Sequence, residues 1–144
     1  RWVRCYADNI PHNAVVGGTA KGEDLYVGRA WHNNGLLPGK VVRSLQCCYV
    51  PCNNGEHKYQ YYEILVNEGA ELKWIPSCDG YVPDGAIPGG KSAAGEILYI
   101  GRTRHEGTVT CGKVHPSQGL LYIPYYHREH RYNGYEVLVN ADTC

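Results

Sequence analysis

The stretch Gly22-Glu23-Asp24-Leu25-Tyr26-Val27-Gly28-Arg29 returns 73 positions later as Gly95-Glu96-Ile97-Leu98-Tyr99-Ile100-Gly101-Arg102. The match does not stop at the arginine. Between Gly22–Asn67 and Gly95–Asn140, 21 of 46 aligned positions are identical, too dense for chance, so the segment is a duplication. Upstream the offset becomes 72: Trp2 matches Trp74, Pro11 matches Pro83, Ala14 matches Ala86, and Gly17-Gly18 match Gly89-Gly90. One residue has entered the second copy after its double glycine. The 144-residue chain therefore divides into two units, 1–72 and 73–144.

Each unit reads as strands. Tyr62–Val66 and Tyr135–Val139 are short runs of β-formers, as are Leu25–Val27, Leu98–Ile100 and Leu72–Ile75. Cys48–Val50 and Leu121–Ile123 run into Pro51 and Pro124, which predict strand ends. Gly17-Gly18, Asn34-Gly35, Pro38-Gly39, Asn54-Gly55, Gly89-Gly90 and Asn133-Gly134 predict turns. No window holds a helical period without a Gly or Pro inside it. A unit of about 70 residues has a marginal core by itself. The expectation is all-β: two tandem antiparallel repeats related by a pseudo-twofold axis and packed into one compact unit.

Composition narrows the function. Lys plus Arg equals Asp plus Glu at 14 each, so no net charge draws the chain to nucleic acid or to an anionic membrane. No apolar run is long enough to cross a bilayer, so membrane insertion by this chain alone is not expected. There is no Met, which suggests processing or a fragment and points to a secreted, extracellular protein. Thirteen Tyr and three Trp, with no Phe, suit surfaces that are apolar and hydrogen-bonding at once. None of the seven cysteines has a cysteine at its repeat-equivalent position. Disulfides added for stability are therefore expected rather than a metal or thiol site shared by both copies, and Cys144 is the candidate for the odd thiol or an intermolecular bridge.

Polar residues kept in both copies while their neighbours drifted are needed twice. They are Glu23/Glu96, Arg29/Arg102, His32/His105, Lys40/Lys113, Ser44/Ser117, Glu56/Glu129, His57/His130, Glu63/Glu136 and Asn67/Asn140. A lysine offers three rotatable donors to ligand hydroxyls; otherwise Lys40 and Lys113 blunt an edge strand. A carboxylate accepting from vicinal hydroxyls is the natural complement, and Glu23 and Glu96 are the candidates, unless they pair with Arg29 and Arg102. His32 and His105 read as buried, hydrogen-bonded histidines before ligand contacts. Glu56-His57 and Glu129-His130 raise a metal reading, but neighbours on a strand point to opposite faces; no metal and no cofactor is expected. Ser44/Ser117 with His57/His130 lack a kept Asp to orient the base, and no Gly-x-Ser-x-Gly elbow, phosphate loop or His-Glu-x-x-His is present. No catalytic residue is assigned, and the chain is not expected to be an enzyme.

The strings Gly22–Arg29, His32, Pro38-Gly39-Lys40-Val41 and Tyr62-Glu63-Ile64-Leu65, repeated in order in the second copy, resemble the DM-nine repeat family along essentially the whole chain. That family includes mannose-binding lectins of molluscs and the N-terminal module of natterin-type toxins. The resemblance implies a two-repeat β fold, often dimeric, and mannose held by the lysine of the Gly-Lys-Val motif, here Lys40 and Lys113. It also implies an aspartate upstream of the Leu-Tyr strand. Thr19-Ala20-Lys21 and Lys91-Ser92-Ala93-Ala94 occupy that place here. Thr19 and Ser92 thus join Lys40, Lys113, Glu23 and Glu96 as sugar-binding candidates. Either the glutamates take the aspartate's role, or the sugar preference differs, or the site is weakened. The leading expectation is a multivalent lectin for mannose-type glycans, acting in pattern recognition in innate immunity, with a homodimer doubling its two sites. The alternative is a structural or interaction module, such as the targeting part of a toxin or matrix protein.

Overall fold

The computed structural model describes residues 1–143, so the expectation for Cys144 lies outside the described residues. The first copy supplies β1 (Trp2–Tyr6), β2 (Val16–Ala20), β3 (Glu23–His32), β4 (Gly35–Val42), β5 (Cys47–Cys52), β6 (Gly55–Tyr59) and β7 (Tyr61–Leu65). The second supplies β8 (Leu72–Cys78), β9 (Pro88–Lys91), β10 (Ile97–His105), β11 (Thr108–His115), β12 (Leu120–Tyr125), β13 (Arg128–Tyr132) and β14 (Gly134–Asn140). The only helical pieces among the described residues are three single 3₁₀ turns, at Arg43–Leu45, Pro116–Gln118 and Ala141–Thr143.

Neighbouring strands run β1-β7-β3-β2-β11-β12-β13-β6-β5-β4-β9-β10-β14-β8. Replacing each strand by its partner in the other copy reverses this order without changing it, which is pseudo-twofold symmetry written in hydrogen bonds. The β3–β4 and β10–β11 pairings close the sheet on itself. From β3 the neighbours lead through β2, β11, β12, β13, β6, β5 and β4 back to β3, a barrel-like circuit that draws on both copies. Three pairings cross between copies: Thr19 with Val109, Lys91 with Leu36, and Arg128 with Gly55.

The crossings explain where punctuation in the sequence misleads. Gly17-Gly18 and Gly89-Gly90 lie inside β2 and β9 rather than in turns. A Cβ on Gly18 would stand 1.9 Å from the Val109 carbonyl oxygen, and one on Gly90 2.0 Å from that of Leu36. Only glycine lets one copy's backbone come this close to the other's. Pro38-Gly39 likewise lies within β4, a strand buried along its whole length. Pro38 sits between the β4–β9 pairing, at Leu36, and the β4–β5 pairing, which begins at Lys40, so its missing N–H costs no ladder bond on that side. Pro51 and Pro124 do not end β5 and β12 either; each lies beyond the last pair made with β4 or β11.

The seam is hydrophobic. Val27, Leu65 and Val15 of the first copy pack with Ile100, Leu138 and Cys111 of the second. Cores of each copy flank it, and Leu98 of the second copy is buried in the core of the first. The six described cysteines are all free, against the expectation of disulfides. The most central, Cys111, stands where the first copy has Pro38, with its Sγ directed at the Gly39 carbonyl 3.4 Å away, and so serves as a small apolar filler.

A backbone this close has nowhere to retreat. Gly18→Ala and Gly90→Ala should each cost at least about 2 kcal/mol in chemical denaturation. Gly134→Ala, whose added Cβ would meet nothing within 4 Å, should be close to neutral.

Candidate functional site

Lys40 belongs to β4 and faces Tyr49 across the ladder; Lys113 on β11 faces Tyr122 in the same way. The kept glycine before each lysine follows from close approach, since a Cβ on Gly39 or Gly112 would stand 1.9 or 2.1 Å from the carbonyl oxygen of Tyr49 or Tyr122. The lysines are thus interior residues of strands paired on both sides, and neither blunts a sheet edge. Their side chains are only 10% exposed, and each ammonium meets a carboxylate about as buried: Lys40 Nζ is 3.7 Å from Glu56 Oε2, and Lys113 Nζ is 3.8 Å from Glu129 Oε2. Burial pulls both ammonium pKa values below the ordinary lysine range, while the facing carboxylate pushes them back.

The same glutamates tie the copies together. Glu56 Oε1 accepts the His127 N–H at 3.0 Å, and Glu129 Oε1 accepts the Asn54 N–H at 3.1 Å. Backbone bonds from Glu56 N–H to His127 O and from Glu129 N–H to Asn54 O complete each crossing. Each Lys–Glu pair therefore lies at the base of a cleft of about 350 Å³ whose far wall is a hairpin turn of the other copy.

The two turns are homologous and differ sharply. Asn53-Asn54 in the first copy and Tyr126-His127 in the second all have positive φ, as a two-residue hairpin turn demands. Asn tolerates that conformation; a tyrosine there is strained. The strained Tyr126 is held at the mouth of the Lys40 cleft, 75% exposed, beside Tyr125 and Tyr49. Lys40 Nζ lies 5.3 Å from the Tyr125 ring centroid and 5.8 Å from that of Tyr49. In the Lys113 cleft only Tyr122 stands this way, at 5.3 Å.

The structure gathers some of the sequence candidates and separates others. Glu23 lines the Lys40 cleft and accepts the Ser44 hydroxyl. Glu96 is taken up by its own copy: Ser117 N–H at 2.8 Å, Ser117 Oγ at 2.5 Å and His115 Nε2 at 2.9 Å, bonds that lower its pKa. Neither glutamate pairs with the nearby arginine. Arg29 binds Glu63 at 2.7 Å and stacks over Trp2, and Arg102 binds Glu136 at 2.8 Å and stacks over Trp74. Ser92 lines the Lys113 cleft, where its Oγ accepts the Glu96 N–H at 3.1 Å. Thr19 does not reach Lys40; it is drawn to β11 by its pairing with Val109 and lines a different groove with Arg102 and Arg104. Sequence reasoning gave Glu56 and Glu129 no sugar role, although their retention in both copies marked them. Tyr126 and His127 left one trace, a Tyr-His pair aligned with Asn-Asn.

Each copy also carries a histidine pair, and His32 of the first copy lines the Lys113 cleft. His32 stacks on His57 with ring centroids 4.0 Å apart, and His105 lies 4.4 Å from His130. Tyr59 and Tyr132 hydroxyls bond Nδ1 of His32 and of His105. His105 Nε2 is buried 3.1 Å from Glu106 Oε2 without hydrogen-bonding alignment. Among the described residues no group of three His, Cys, Asp or Glu side chains is placed to hold a metal ion.

A closed β circuit built from two interleaved copies, with a Lys–Glu cleft in each, is the class of protein that fold and site define. The chain matches the DM9 (DM-nine) repeat over residues 1–59 and 20–132 and belongs to that family. It is 33% identical to Natterin-4 of Thalassophryne nattereri over 99% of its own length and 34% of that protein. It is 27% identical to Natterin-3 of the same fish over 92% of its length and 42% of that protein. The chain thus spans less than half of the curated relatives it matches. The nematode sperm cell motility protein MFP2B shares the fold with a TM-score of 0.73 at 14% identity, over the whole of this chain and 47% of that one.

Burial first, and the neighbouring histidine second, hold the pKa of His32 and His105 below the ordinary 6.5. The unfolded chain therefore takes up protons first, and stability present above about pH 6.5 declines as pH falls below it. Thermal melts between about pH 7.5 and about pH 5.5 should show that decline, and His105→Gln should flatten it. An unchanged slope in the variant would count against this origin.

Proposed function

We propose that the chain is a carbohydrate-binding module with one site per copy, centred on Lys40 and Lys113. The observation that carries the reading is the pair of desolvated Lys–Glu contacts, 3.7 and 3.8 Å, at the base of solvent-open clefts. A sugar presents hydroxyls that both donate and accept, and a lysine beside a carboxylate matches both roles with charge-assisted bonds. In the Lys40 cleft, tyrosine rings add faces for the apolar C–H side of a pyranose. The glutamates also brace the opposite turn, but buried charge pairs add little net stability, so the lysines kept beside them are consistent with a ligand role.

The proposed ligands are mannose-type glycans, and the reading carries with it an extracellular location. Two sites on one rigid body, or four in a pair of chains, would give avidity from weak single sites. The second reading, an interaction module within a longer protein, is favoured by the share of each natterin that the chain spans, 34% and 42%.

On a glycan array the chain should bind mannose-terminated glycans, and Lys40→Gln combined with Lys113→Gln should abolish the signal while circular dichroism stays unchanged. A wild-type chain that binds no glycan contradicts the proposal. Tyr126→Asn supplies an independent check. Relief of strain should stabilise the fold by about 1 kcal/mol, while loss of the ring should weaken mannoside binding about fivefold.

A further inference from the structure

The two clefts share a Lys–Glu floor and differ in what stands above it. Around Lys40 are apolar and aromatic groups, Leu25, Leu45, Tyr49, Tyr125 and Tyr126, and the charges balance, with Lys21 and Lys40 against Glu23 and Glu56. Around Lys113 the aligned positions have changed character. His115 stands for Val42, Gln118 for Leu45, Asn53 for Tyr126 and Asn54 for His127. Arg131 reaches this cleft, whereas its counterpart Lys58 lines neither. Among the described residues, the only carboxylate in the lining is Glu129.

The hydrogen bonds give this cleft a direction. Arg131 Nη2 donates to Asn54 Oδ1 at 3.1 Å, and the Tyr122 hydroxyl donates to Gln118 Oε1 at 2.5 Å. Ser92 Oγ accepts the Glu96 N–H, and Glu129 Oε1 accepts the Asn54 N–H. Four acceptor atoms of the lining, Asn54 Oδ1, Gln118 Oε1, Ser92 Oγ and Glu129 Oε1, are thus engaged from within the protein. Those bonds leave donors for a ligand: the amide N–H₂ groups of Asn54 and Gln118, the remaining guanidinium N–H groups of Arg131, and the Lys113 ammonium. A neutral sugar needs acceptors as well as donors. A donor-rich cleft with two cations, Lys113 and Arg131, to one carboxylate suits a group that only accepts and carries negative charge.

We infer that the Lys113 cleft takes an acidic glycan, its carboxylate or sulfate seated between Lys113 and Arg131, whereas the Lys40 cleft takes a neutral pyranose. The inference rests on the carbohydrate-binding reading and assigns each cleft its own ligand class. The duplication has then produced two specificities on one body rather than two equal sites.

Calorimetric titrations of the full chain with three probes test this: methyl α-mannoside, an oligogalacturonate, and a sulfated galactan oligosaccharide. At least one acidic probe should bind with one site per chain and weaken at least tenfold when salt is raised from about 0.05 M to about 0.5 M, whereas the mannoside should be insensitive to salt. Arg131→Gln should weaken the acidic probe at least tenfold, and the matched charge change Lys58→Gln should not. Which acidic probe binds distinguishes carboxylate from sulfate. If the mannoside binds but neither acidic probe does, or if Arg131→Gln has no effect on the acidic probe, the inference fails and carbohydrate binding stands. If no probe binds, both fail.

Discussion

Two pairs of glycines, Gly17-Gly18 and Gly89-Gly90, set the distance at which the copies meet, and the rest of the molecule follows from that distance. At Gly18 and Gly90 the facing carbonyl oxygen would lie 1.9 and 2.0 Å from any Cβ. At Gly17 and Gly89 the space is taken by Cys111 Sγ and Pro38 Cγ of the opposite copy, each 2.7 Å from where a Cβ would be. A side chain at any of the four would push β2 off β11 or β9 off β4. The hydrophobic seam of Val27, Ile100, Leu65 and Leu138 would open with it. With the seam closed, the β5–β6 hairpin of one copy lies against the β12–β13 hairpin of the other. Glu56 and Glu129 can then reach across to the opposite turn. Each cleft is therefore composite: its lysine and glutamate come from one copy and its far wall from the other.

The kept polar residues divide by what they touch. Arg29–Glu63 and Arg102–Glu136, each under a tryptophan, brace β3 against β7 and β10 against β14. Asn67 caps the loop after β7 by accepting the N–H groups of Gly69 and Ala70, and Asn140 accepts that of Asp142. Serine hydroxyls hold Glu23 and Glu96 to the following 3₁₀ turns. These are structural needs, met twice because the fold is made twice. The Lys–Glu pairs are different. Their glutamates also hold the opposite turn, but the lysines are desolvated charges beside open space, an arrangement that folding alone does not reward.

The duplication, the strand content and the two lysines were legible because they are written locally: identical strings, β-forming runs and a Gly-Lys-Val motif. The rest depends on partners distant in sequence. A double glycine inside a strand looks like a turn until the other copy's carbonyl is seen against it. Pro38 looks like a breaker until the gap between the β9 and β5 ladders is seen. Glu56 was visible as a kept residue, but its partner is the backbone of residue 127, and no local pattern states that contact. The cysteines suggested disulfides because none has a counterpart in the other copy, whereas the six described thiols are free: Cys48 lies in the first copy's core with Cys5 and Cys52 packed against it, Cys47 is buried beside it in sequence, Cys111 fills the seam and Cys78 is exposed. Thr19 was a candidate because it occupies the place of the aspartate that the family resemblance implies, and it is positioned instead by strand pairing across the seam.

Composite clefts also explain how the copies could diverge without losing the fold. The turns at 53–54 and 126–127 face the partner's cleft, so a change there alters a site and leaves its own copy's core intact. Tyr126 shows that divergence, a strained aromatic in one copy where the other has asparagine. The claim that each site draws on both copies is tested most directly by following backbone amide resonances while methyl α-mannoside is added to the full chain. The account predicts that the His127 amide, whose acceptor is Glu56 beside Lys40, shifts together with amides of β4, although 87 positions separate residues 40 and 127. Shifts confined to one copy, or clustered away from Lys40 and His127, would contradict it.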